Sequence, residues 1–80
     1  MKRRTLKKVA KRYLDTGYMP KRYILAVEET ADGFANRYTK TVMRLRSPRL
    51  QTAVYAEAYR RGWNGNHWDD PMVLSVEASQ

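Results

Sequence analysis

Leu6, Val9, Ala10, Tyr13 and Leu14 stand at i, i+3, i+4, i+7 and i+8, the spacing that gathers apolar side chains on one face of a helix. Lys7, Lys8, Lys11 and Arg12 fall between them. The pattern predicts a basic amphipathic helix, stopped at Gly17 and barred from continuing by Pro20. Tyr23 to Glu29 is aromatic, aliphatic and β-branched, too apolar for a strand with one wet face, and is predicted as the central strand of a sheet. Asp32-Gly33 is the strongest hairpin signal in the chain, because glycine tolerates the positive φ of a tight reversal.

The partner strand runs from Arg37 to Arg46, its bases alternating with Thr39, Thr41, Met43 and Leu45. That alternation gives one wet or contacting face, on which Arg44 and Arg46 lie together. Ser47-Pro48 opens a second helix, with Ser47 capping free backbone N–H groups and Pro48 at the first helical position. Leu50, Val54 and Ala58 recur one turn apart, flanked by Ala53 and Tyr55, and Gly62 ends the helix after about Arg61. Beyond the loop 63–71, Met72, Leu74, Val76 and Ala78 alternate with the rest and predict a strand with one buried face.

The element order is therefore α-β-β-α-β. It predicts an α+β fold: a three-stranded antiparallel sheet with one packed helix (β-β-α-β), preceded by a basic amphipathic N-terminal helix. Residues 1–19 hold that helix and a linker, and residues 20–80 the β-β-α-β body, in one compact domain. The pattern leaves open whether the first helix packs on the other face of the sheet or stays mobile.

Charge changes the picture. The 80 residues carry 16 Lys+Arg against 8 Asp+Glu, a net charge of +8. Residues 1–22 contain nine of the bases and one acid, Asp15, so the whole excess sits there. The remainder is neutral but polarised, with its bases between Arg37 and Arg61 and only acids after Gly62. A core of this size excludes large multi-step enzymes. The absence of cysteine excludes disulfides and Cys-bearing zinc sites, and suits a reducing cytosol. The longest apolar run, Tyr23 to Val27, is far too short to span a bilayer. The Arg-rich start also has the composition of an organellar transit peptide, but little chain would remain after its removal.

The candidate chemistry is that of contact rather than catalysis. Lys2, Arg3, Arg4, Lys7, Lys8, Lys11 and Arg12 form a basic stripe suited to a phosphate backbone; the alternative is a merely solvated face. Arg44, Arg46 and Arg49, with Arg60 and Arg61, either favour phosphate or carboxylate partners or pair internally with Glu28, Glu29 or Glu57. Trp63, His67 and Trp68 either stack on bases or anchor a protein interface, or else cover an open core edge. His67, Asp69 and Asp70 have no recognised metal-ligand spacing, no nucleophile is paired with a base, and Gly62 and Gly65 lack the pattern of a phosphate loop. No catalytic residue, metal ligand or cofactor is assigned, and neither a membrane nor a small-molecule substrate is expected.

With the β-β-α-β order in place, residues 23–78 resemble the small inhibitors of host RNA polymerase carried by T7-type phages. The likeness lies in the Tyr23 to Val27 strand, Tyr55-Ala56-Glu57, Trp63 near the helix end, and Val73 and Val76 in the last strand. It implies a phage-encoded protein of the bacterial host cytoplasm that acts by occupying a surface. Ser75 and Glu77 stand where that family has arginines, and the basic N-terminal helix has no counterpart there, so no site residue is carried over. The expectation is a non-enzymatic module engaging nucleic acid or a nucleoprotein; the alternative is a protein-binding inhibitor of a host enzyme such as RNA polymerase or a defence complex.

Overall fold

The computed structural model describes residues 2–31, 38–66 and 69–78. Helix α1 spans Arg3–Thr16, strand β1 Ile24–Ala31, strand β2 Tyr38–Leu45, helix α2 Pro48–Arg60 and strand β3 Val73–Ala78. This is the α+β order anticipated from the sequence. The Asp32-Gly33 reversal and Arg37 lie outside the described residues.

Helix α1 ends where the backbone turns left-handed: Gly17 has φ 76° and its N–H donates to the Tyr13 carbonyl at 2.7 Å. Glycine adopts that conformation without the Cβ penalty. Helix α2 begins as its sequence dictates. The Ser47 hydroxyl accepts from the Leu50 N–H at 3.2 Å, and Pro48 occupies the first turn.

The sheet order is β1-β2-β3, so β2 is central and both pairings are antiparallel. This corrects the assignment of the Tyr23 to Glu29 segment to the centre. Helix α2 and its loop return the chain to the end of the sheet that β2 has just left, since Val42 is opposite Val73 and Ile24 opposite Leu45. A third strand starting there runs antiparallel beside β2 but would run parallel beside β1, and the antiparallel ladder is the stronger per residue.

Two register shifts account for two of the exposed apolar residues of the outer strands. Leu25 falls between the pairs Ile24–Leu45 and Ala26–Arg44, and Leu74 between Thr41–Ser75 and Val42–Val73. Each is an extra residue opposing no partner, and they are 57% and 45% exposed. The strict alternation expected for Met72 and Leu74 therefore fails: Met72 is buried and Leu74 is not.

The core joins both helices to one side of the sheet. Leu6, Ala10 and Tyr13 of α1, Met19 of the linker, Met43 and Leu45 of β2, Leu50 and Val54 of α2, and Met72 form a single buried cluster. Helix α1 does not pack on the opposite sheet face; it lies along α2 and shares its core. Polar latches hold this arrangement. The Tyr13 hydroxyl donates to the Pro71 carbonyl at 2.5 Å, and the Tyr55 hydroxyl to Asp70 Oδ1 at 2.9 Å. Asp70 Oδ1 also accepts the Met72 N–H at 2.8 Å. One turn before β3 thus binds a tyrosine from each helix, and burial, followed by the Asp70 carboxylate, pushes both hydroxyls above their usual pKa.

Candidate nucleic-acid interface

Because Leu6, Ala10 and Tyr13 face inward, the remaining positions of α1 must face out. Lys2, Arg3, Arg4, Lys7, Lys8, Lys11 and Arg12 are all exposed. Six of them fall into two rows at four-residue steps, Arg3-Lys7-Lys11 and Arg4-Lys8-Arg12, with charges about 6 Å apart along the axis, and Lys2 precedes both. Among the described residues none of the seven forms an ion pair with a carboxylate. Arg12 has a neighbour of another kind, its guanidinium lying 5.5 Å from the centre of the Tyr18 ring.

The start of this helix goes against local preference. Lys2 at the N-cap makes no side-chain capping bond, and no acid stands in the first turn. Lys2, Arg3 and Arg4 therefore sit at the positive pole of the helix dipole, where a cation is unfavourable by about 0.3–1 kcal/mol. Packing of Leu6, Ala10 and Tyr13 holds the helix in place despite this, leaving a fixed array of cations with its positive end unneutralised.

The first row also forms one wall of a groove of about 610 Å³ between the helices. Arg49 and Arg60 stand on the α2 wall, and Leu6, Ala10, Ala53 and Ala56 line the apolar surface between. Among the described residues Glu57 is the one acid lining it, and its charge is already engaged. Arg60 donates to Glu57 Oε1 at 2.8 Å and Arg61 at 3.1 Å, while Arg61 also reaches Asp15 at 2.6 Å. Arg60 above all, with Arg61, holds the Glu57 carboxylate down at about 2. The Arg61–Asp15 pair ties the C-terminal ends of the two helices together.

The structure thus gathers Arg49 with the α1 cations but separates Arg44 and Arg46 from them. Met43 and Leu45 point into the core, so Arg44 and Arg46 project from the sheet face away from the helices. Arg44 is paired there: its Nε donates to Glu28 Oε2 at 2.8 Å. No ion pair of Arg46 occurs among the described residues. Arg60 both pairs with Glu57, one of the two alternatives its sequence offered, and stands on the groove. Its signal was present, since Arg49, Ala53, Ala56 and Arg60 recur at steps of four, three and four and so share a helical face.

Trp63 packs on the end of α2. Its ring is 5.5 Å from Tyr55 in a stacked arrangement and 4.7 Å from Tyr59, and its Nε1 donates to the Asn66 carbonyl at 3.0 Å. Gly65, at φ 86°, passes so close that an added Cβ would lie 3.0 Å from the Tyr59 hydroxyl. This ring covers the edge of the helix layer, and its remaining surface is half-buried. His67 and Trp68 lie outside the described residues. Among the described residues no cluster of three metal-ligating side chains exists, and no helix is long and apolar enough to cross a membrane.

Compared with known proteins, the chain matches no family model, no curated protein and no solved structure.

Proposed function

We propose that this protein binds nucleic acid through the exposed face of α1, making mainly phosphate contacts. The observation that carries the reading is the docked helix whose seven cations have no carboxylate partner among the described residues. A helix already fixed by its apolar face loses little conformational freedom on meeting a polyanion, and each neutralised phosphate releases condensed counterions. The outward face of α1 meets a duplex chiefly with Lys and Arg heads, which contact phosphate oxygens. Contacts of that kind position a protein on a duplex without specifying sequence. Labelled duplex and single-stranded probes at low salt test the proposal: duplex binds regardless of sequence, and failure of both probes to bind ends it. A pulldown from bacterial lysate with and without nuclease separates this reading from a protein-binding inhibitor, whose partner survives the nuclease.

A further inference from the structure

The groove between the helices asks for a different ligand from the outward row of α1. Its accessible floor is made of small apolar residues, Ala53 and Ala56, over the buried Ala10, with cations on both sides. Ala10 is fully buried, whereas Ala56 is exposed. Alanine allows another backbone to approach closely, and two helices side by side present the trough into which a third packs at about 8–10 Å from each axis. A nucleic-acid duplex gains nothing from an alanine surface, and a single strand finds no aromatic ring there to stack on. An occupant that satisfies both parts has an apolar stripe and acids on either flank.

We propose that the α1–α2 groove seats an acidic amphipathic helix from a partner protein. Small apolar residues at i, i+3, i+4 and i+7 lie on the alanines, in the helix-in-groove manner. Flanking carboxylates on one side meet Arg3, Lys7 and Lys11, and those on the other meet Arg49 and Arg60. Glu57 does not oppose this, because Arg60 and Arg61 already engage it; Arg60 uses its Nε and Nη2 on Glu57 but is 67% exposed, with Nη1 left to donate to a second carboxylate. Helices α1 and α2 are 14 and 13 residues long, so they accommodate an occupant of three to four turns. The groove shares Arg3, Lys7 and Lys11 with the basic face of α1, whereas Arg4, Lys8 and Arg12 lie outside it, so variants of that second row and of the groove floor separate the two readings.

The test uses the full chain and a fluorescein-labelled helical peptide of about 15 residues, matched to the helix length. Leu and Ala occupy the i, i+3, i+4 and i+7 positions of the peptide, and Glu the flanks. Fluorescence anisotropy is read against a scrambled peptide of the same composition. The ordered peptide binds at least roughly tenfold more tightly than the scrambled one, since only the ordered stripe buries its apolar side chains together. Ala56→Trp fills the groove from an exposed position, and Thr52→Trp does so from a neighbouring one. Each weakens the ordered peptide by roughly tenfold or more and leaves duplex binding unchanged, with circular dichroism confirming the fold of whichever variant is used. The Arg4→Ala/Lys8→Ala variant shows the reverse pattern. Equal binding of ordered and scrambled peptides, absence of peptide binding, or indifference to both tryptophans overturns the proposal. Loss of duplex binding in the tryptophan variants also overturns it, by assigning the groove to nucleic acid.

Discussion

On the helical side of the molecule Arg4, Lys7 and Lys8 face out with no ion-pair partner among the described residues, whereas on the open side of the sheet Arg44 lies 2.8 Å from Glu28. The difference follows from register rather than from residue type. Arg44 is opposite Ala26, so Glu28, two residues further along β1, is its diagonal neighbour on the same face. Helix α1 has only Asp15 among its acids, at its far end, and Arg61 takes it. A basic residue is neutralised where the fold brings an acid across, as at Arg44, and stays charged where it does not. Net charge alone does not distinguish the two.

The most severe way to break the comparison is to detach the helices from the sheet. Leu50 is fully buried in the cluster that α1, α2 and β2 share. Leu50→Ala should cost about 3 kcal/mol, the ordinary range for a buried leucine, read as a fall in the urea midpoint. Nucleic-acid binding should fall with it at temperatures where the helix layer melts, because the cation array depends on the docking of α1. Binding that persists after the fold is lost would show that the array needs no scaffold.

An intermediate effect sharpens the acid side. Glu57, 11% exposed in its side chain, titrates at about 2 in the folded protein against a usual 4.5. Its contribution to stability is therefore fully present above 4.5 and is lost as the pH falls toward 2. Urea titrations of the native chain and Glu57→Gln should differ most above pH 4.5 and converge toward pH 2. A gap that stays constant would mean that Glu57 acts by packing rather than by holding Arg60 and Arg61. The smallest effect is Arg44→Ala. This pair is about half exposed on both partners, 55% and 46%, and such pairs contribute below about 1 kcal/mol, so the urea midpoint should barely move.

Both helices were legible in the sequence because their signals are local. The spacing of Leu6, Ala10 and Tyr13, the stop at Gly17 and the Ser47-Pro48 start involve neighbours within a turn or two. Charge segregation was legible for the same reason. The sheet order was not, since the apolarity of Tyr23 to Val27 reads the same at an edge as at the centre. The extra residues Leu25 and Leu74 depend on partners far along the chain. The groove was legible only in halves: the α1 row and Arg49 were recognisable, but that they face one another, with Arg60 beside them, depends on the packing of α1 along α2. The Tyr13 and Tyr55 latches onto Asp70-Pro71 escaped because hydroxyl partners 58 and 15 residues away leave no mark on local pattern.

The central claim is that the uncompensated face of α1, and not the arginines of the sheet, meets phosphate. The salt dependence of duplex affinity tests it most directly, measured in the native chain, in Arg4→Ala/Lys8→Ala and in Arg44→Ala. With about five cations reaching phosphates, the plot of log affinity against log salt should have a slope near −4 to −5. That slope should become shallower by about 2 in the α1 double variant and stay the same in Arg44→Ala. A slope unaffected by Arg4→Ala/Lys8→Ala, or one altered chiefly by Arg44→Ala, would contradict the account.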